Sequence, residues 1–114
     1  MMERDERELL LTTAWMFARH GQELRALTLC EALHEDSPRD GVAAAALAEL
    51  LLGERRADEA LQALREADFP RELKRAEALL ETRALAMLGR KADADRRWKR
   101  YLNSAKGRER NWVG

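Results

Sequence analysis

A chain of 114 residues has room for one domain with a single modest core and no second one. Its 21 basic and 21 acidic side chains cancel, which removes any overall electrostatic attraction to nucleic acid or anionic lipid, and its lone cysteine, Cys30, excludes an internal disulfide. Hydrophobic residues make up 46%, aromatics only 5%, and proline occurs twice, a balance that favours helix throughout and leaves no β-branched run for a strand.

Taken in chain order, residues 4–20 form a first predicted helix with Leu10, Ala14 and Phe17 on one stripe, closed by Gly21. A second helix spans about 22–35, with Leu27, Cys30 and Leu33 or Leu29 inward. Ser37 is the expected cap of the third helix, with Pro38 at its first position and Asp40 completing a capping-box spacing, so that helix should run over about 39–52. Its alanines at 43–46 are small enough for a close backbone approach. Gly53 or the charged stretch 54–56 makes the next turn, and a fourth helix over 58–67 carries Leu61 and Leu64 inward until Asp68, Phe69 and Pro70 break it. A fifth spans about 72–88 and stops at Gly89; a sixth over 91–105 aligns Ala94, Trp98, Tyr101 and Leu102, leaving 106–114 as a frayed or loosely docked tail.

These six helices repeat as pairs with a period of 34 residues. Ala26, Ala60 and Ala94 share one position, and the large residue four later is Cys30, Leu64 and Trp98. In the preceding helices a small residue recurs as Ala14, Ala48 and Thr82, and a large one as Phe17, Leu51 and Leu85. Independent helices would not keep their size classes in step. The turn glycine recurs as Gly21 and Gly89, but Arg55 holds that place in the middle unit, and Pro70 arrives two residues before Pro38 predicts. A shifted turn and a shortened link are therefore expected there.

The 34-residue period, with Gly21, Ala26 and Pro38, then Asp58-Glu59-Ala60-Leu61, then Leu88-Gly89-Arg90 and Ala94, resembles the tetratricopeptide repeat over nearly the whole chain. That resemblance implies an all-α fold, a right-handed α-solenoid of three helix pairs (about 7–38, 39–70 and 71–105) forming one domain over 1–114. The opening Glu8-Leu9-Leu10-Leu11-Thr12-Thr13-Ala14-Trp15 and the run Ala26-Leu27-Thr28-Leu29-Cys30-Glu31-Ala32-Leu33, in so short a chain, are similar to the small chaperones of bacterial type III secretion, the YscY-like ones above all. The implied function is binding one small secreted or apparatus protein as a helix or extended segment, in a heterodimer, before export. The related needle-subunit chaperones use the same repeat fold, and the sequence does not separate the two types. A cytosolic location also accords with the start Met-Met-Glu-Arg-Asp, which lacks the basic and apolar regions of a secretory signal, and no apolar run approaches the roughly 20 residues of a membrane span.

In a solenoid of this kind the first helix of each pair lines the concave face. The residues expected there are Leu11, Trp15, Ala18 and Arg19, then Val42, Ala45, Glu49 and Leu52, then Ala76, Leu79, Arg83 and Met87, an apolar floor with charged edges. Trp15 is the expected anchor contact, with packing between the first two units as its alternative role. Cys30 reads as a buried structural thiol, and His20 and His34 lack the further ligands that a metal would need. Carboxylate pairs such as Glu6 with Glu8 and Asp93 with Asp95 are interleaved with cations and read as solvated faces. No phosphate loop, serine elbow or zinc signature is present, so neither enzyme activity nor a cofactor or metal is expected. Residues 90–110 hold nine Lys or Arg against three Asp or Glu, with Arg96, Arg97, Lys99 and Arg100 around Trp98 and Tyr101. A capping helix with a solvated basic outside is favoured there over a nucleic-acid surface, and a general repeat adaptor is the other alternative to a secretion chaperone.

Overall fold

The structure, a computed structural model, describes residues 1–113, with side chains through residue 107. It is all-α among these residues: helices α1 (Arg4–Arg19), α2 (Glu23–Asp36), α3 (Gly41–Gly53), α4 (Ala57–Glu66), α5 (Lys74–Met87) and α6 (Lys91–Val113), with one 3-10 turn (Arg71–Leu73) leading into α5. Each helix packs on the next, and α3 also packs on α5, whereas α1 and α3 scarcely touch. α6 continues past residue 105, so the expected frayed tail is helical through Val113. No proline interrupts this stretch, and the single Gly107 costs a helix only about 1 kcal/mol.

Small residues sit where helices cross. Ala26 and Ala60 are completely buried, Ala94 nearly so, and Ala14 and Ala48 are buried beside them, while Cys30, Leu51, Leu64 and Leu85 fill the volume between. Thr82, the third member of the Ala14 series, is half-buried and its Oγ1 has no hydrogen-bond partner among the described residues.

The turns within pairs hold the period more strictly than expected. Gly21 and Gly89 lie at φ 76° and 79°, and Arg55 adopts φ 63° at the equivalent place. The N–H of the following residue closes each turn on a carbonyl five residues back: Gln22 to Phe17 at 2.8 Å, Arg56 to Leu51 at 2.9 Å and Arg90 to Leu85 at 2.9 Å. This is the left-handed helix-ending motif three times over. The turn of the middle unit is therefore not shifted; an arginine accepts the left-handed backbone instead. That conformation costs a residue with a Cβ about 1 kcal/mol. An Arg55→Gly variant is accordingly expected to be more stable by about 0.5–1 kcal/mol, read as a higher urea midpoint at constant m-value, whereas a shifted turn would give a loss.

The links between pairs depart from expectation. α3 begins at Gly41 and is capped by Asp40, whose Oδ1 accepts from the N–H of Val42 at 3.0 Å and of Ala43 at 3.3 Å. Ser37 is not the cap, because the carboxylate three residues on satisfies two of the free helix N–H groups at once. Glycine follows it for steric reasons: a Cβ at Gly41 would lie 2.6 Å from the Asp68 carbonyl oxygen and 3.1 Å from Phe69. That approach ties the first link to the second, since Asp68 N–H donates to the Arg39 carbonyl at 2.9 Å and the two side chains pair at 2.7 Å. The second link is lengthened, not shortened. α4 ends at Glu66, where Ala67 turns to an extended backbone, and the buried Phe69 ring plugs the core in place of a last helical turn ahead of Pro70, which offers no N–H.

In α6, Trp98 and Tyr101 stack with ring centroids 5.2 Å apart, both half-buried. Arg97 was expected on the solvated side; it turns inward, with Nε donating to Glu81 Oε2 at 3.1 Å.

Candidate partner-binding cleft

Where α1 and α3 diverge, a cleft of about 300 Å³ opens between Leu11, Ala14, Trp15 and Ala18 on one wall and Val42, Ala46, Glu49 and Leu50 on the other, with Cys30 of α2 also in its lining. The alanines of both helices leave the space, and the large apolar side chains stand at its mouth: Trp15 is 59% exposed and Val42 46%. Glu49 is the one charged residue in the lining. Arg19, one turn beyond Trp15, places its guanidinium 4.8 Å from the ring centroid, a cation–π contact that holds the indole on the surface.

Towards the N-terminal ends of the two helices the cleft meets a second depression of about 550 Å³, which shares Leu11 and Val42 and adds Met2, Arg7, Leu33 and Asp40. Here the character is ionic. Arg7 donates to Asp36 at 2.7 Å, to Asp40 at 2.7 Å and to the Leu33 carbonyl at 3.1 Å, and the Met2 N–H donates to Asp36 at 3.1 Å. The groove thus has an apolar end and a charged end.

The structure brings together part of the residue set expected from sequence. Leu11, Trp15, Ala18, Val42 and Glu49 line the cleft, and Arg19 touches it through Trp15. Ala45 is half-buried and Ala46 takes its place in the wall. Leu52 is a core side chain, 1% exposed, and is corrected from the expected surface set: on the middle helix of three, that position is covered by packing on both sides. Leu79, Arg83 and Met87 lie on α5, outside the cleft. Leu79 is 40% exposed, Met87 packs against the core, and Arg83 pairs with Glu49 at 2.8 Å across the closed seam between α3 and α5. Among the described residues the cleft thus lies between the first two units, and α5 does not line it. Ala46 and Leu50 were missed, although they sit one turn apart beside Glu49 and share its helical face.

Cys30 is buried, and burial, with the Glu31 carboxylate adding to it, pushes its thiol up to about 11. A neutral thiol is not a nucleophile near neutral pH. The same shift sets a pH limit on stability. The folded chain keeps the proton that the unfolded thiol loses near its ordinary value of 9.0, so stability is full below about pH 9 and falls until about pH 11. Chemical denaturation of wild type and Cys30→Ala across that window should show the wild type losing about 2 kcal/mol more than the variant; parallel curves would mean that the thiol does not titrate differently on folding. His34 Nε2 lies 3.4 Å from Glu66, and its Nδ1 has no partner among the described residues. Those residues contain no group of three or more side chains placed to hold a metal, and no helix long and apolar enough to cross a membrane.

Comparison with known proteins gives no matching family model and no match among curated proteins.

Proposed function

We propose that this chain is a right-handed α-solenoid of three tetratricopeptide-like pairs, acting as a cytoplasmic chaperone that holds an amphipathic segment of one partner in the cleft between α1 and α3. The observation that carries this reading is the contrast between two equivalent intervals: α3 and α5 pack on each other, while α1 and α3 stand apart with Trp15 and Val42 facing solvent and Leu11 half-buried. Apolar surface kept open in this way has a free-energy cost that a bound apolar side chain removes, at about 25 cal/mol per Å² covered. Exact one-period spacing supports the solenoid: turns recur at residues 21, 55 and 89, and Glu49 meets Arg83 from the equivalent position of the next pair. The resemblance to type III secretion chaperones supplies the class of client, a small export component held in a heterodimer.

The cleft favours binding over catalysis: among the described residues its lining holds one carboxylate, Glu49, and a protonated thiol, Cys30. Affinity purification from the source cells should recover one small protein in stoichiometric amount with the wild type. Trp15→Asp should weaken that complex by about 2 kcal/mol, roughly 30-fold, with an unchanged helical spectrum. A partner retained equally by Trp15→Asp and Val42→Asp, or no stoichiometric partner at all, rejects the cleft as its seat. A single partner without any role in secretion points to the adaptor alternative.

A further inference from the structure

Two grooves in the outer layer occupy the same place one period apart and carry opposite charge. The first, between α2 and α4, is about 240 Å³ and has Glu31, Glu35, Glu59 and Glu66 around Leu47 and Leu51. The second, about 530 Å³, lies between α4 and α6 over Leu85, the equivalent of Leu51. A step of 34 residues carries Glu31 to Arg65 and Glu66 to Arg100, so the charge is inverted on both walls.

Most cations of the second groove are already engaged. Arg97 is held by Glu81 at 3.1 Å, Arg90 and Arg96 by Asp93, and Lys99 by Asp95 at 2.8 Å. Arg65 and Arg100 are exposed and have no ion pair among the described residues. Like charges left facing each other across a groove repel, and an anionic ligand between them converts that repulsion into two charge-assisted contacts.

We propose that the α4/α6 groove binds an acidic polypeptide segment of a partner, with Arg65 and Arg100 each gripping a carboxylate in the fork geometry that guanidinium favours. Nucleic acid fits less well on two counts. Among the described residues no aromatic ring lines the groove, Trp98 and Tyr101 being stacked on each other, so bases find no platform there. Glu81 and Asp93 also stand in the lining, where they oppose a continuous polyanion but leave room for spaced carboxylates. This surface shares no residue with the α1/α3 cleft, and it stands or falls independently of the function proposed for that cleft.

The test is fluorescence anisotropy of the full chain with a labelled peptide of about ten residues in which glutamate alternates with serine, at about 50 mM salt where the Debye length exceeds 10 Å. A glutamine peptide and a thymidine oligonucleotide of equal length serve as the other arms. The glutamate peptide should bind and the glutamine peptide should not. Arg65→Glu/Arg100→Glu should lower affinity at least about tenfold, Arg65→Gln/Arg100→Gln several-fold, and Trp15→Asp not at all. Both arginines are exposed and have no ion pair among the described residues, so the variants should keep the wild-type helical spectrum. Absence of peptide binding, equal binding by the double variants, tighter binding of the oligonucleotide, or low-salt self-association through Arg65 and Arg100 in place of peptide binding would each overturn the proposal.

Discussion

Arg97→Ala should lower the unfolding free energy by about 3 kcal/mol, the loss associated with leaving a buried charge without its partner. Glu81 is the one charged residue buried among those described, 8% exposed, and the Arg97 side chain that neutralises it is 12% exposed. Equivalent positions of the middle unit hold Leu47 and Ala63, both buried and neutral. The pair therefore replaces an apolar contact that the same backbone already makes one period earlier. It follows that Glu81→Leu/Arg97→Ala, which installs the middle unit's residues, should recover to within about 1 kcal/mol of wild type, since exchanging a buried ion pair for well-packed apolar groups is often neutral. Urea unfolding of the two single variants and the double variant gives the coupling directly. A loss below about 1 kcal/mol for Arg97→Ala would mean that solvent screens the pair as it does on a surface.

Leu52→Ala should cost about 3 kcal/mol, within the range found for leucine truncations in close-packed cores. The residue is 1% exposed and belongs to the same buried cluster as Leu51, Ala60 and Leu64. Its effect should be the reverse of that at Trp15: thermal denaturation shifts to lower temperature, while partner affinity at a temperature where the variant is folded stays unchanged. Loss of affinity at wild-type stability would return Leu52 to the binding surface and contradict its burial.

Trp15 and Leu52 mark how far residue patterns carry. Periodicity places Ala26, Ala60 and Ala94 at helix crossings and Gly21 and Gly89 in turns, because size and backbone freedom are local properties with local signatures. Arg55 defeats the same logic: an arginine carries no mark of a left-handed backbone, and only the closing bonds around it force that conformation. Asp40 and Ser37 both satisfy a cap pattern, and the choice between them rests on Gly41 meeting Asp68 from a distant link. The candidate site was legible on α1 and at Val42 and Glu49. It was not legible on α5, since whether adjacent helices close or part depends on how Glu49 meets Arg83 and on how the alanines of α1 and α3 fail to meet. The inward turn of Arg97 is likewise a long-range pairing that a helical stripe cannot encode.

Arg7 clamps α1 to Asp36 and Asp40, at the junction from which α3 departs, and among the described residues no ion pair bridges the cleft between Trp15 and Glu49 or Leu50. Along its length α1 is fixed by packing on α2, with Ala14 in the buried core, so a bound segment would meet preset walls. The girth of segment that fits would then be decided by how α1 sits on α2, one layer away from the side chains that grip it.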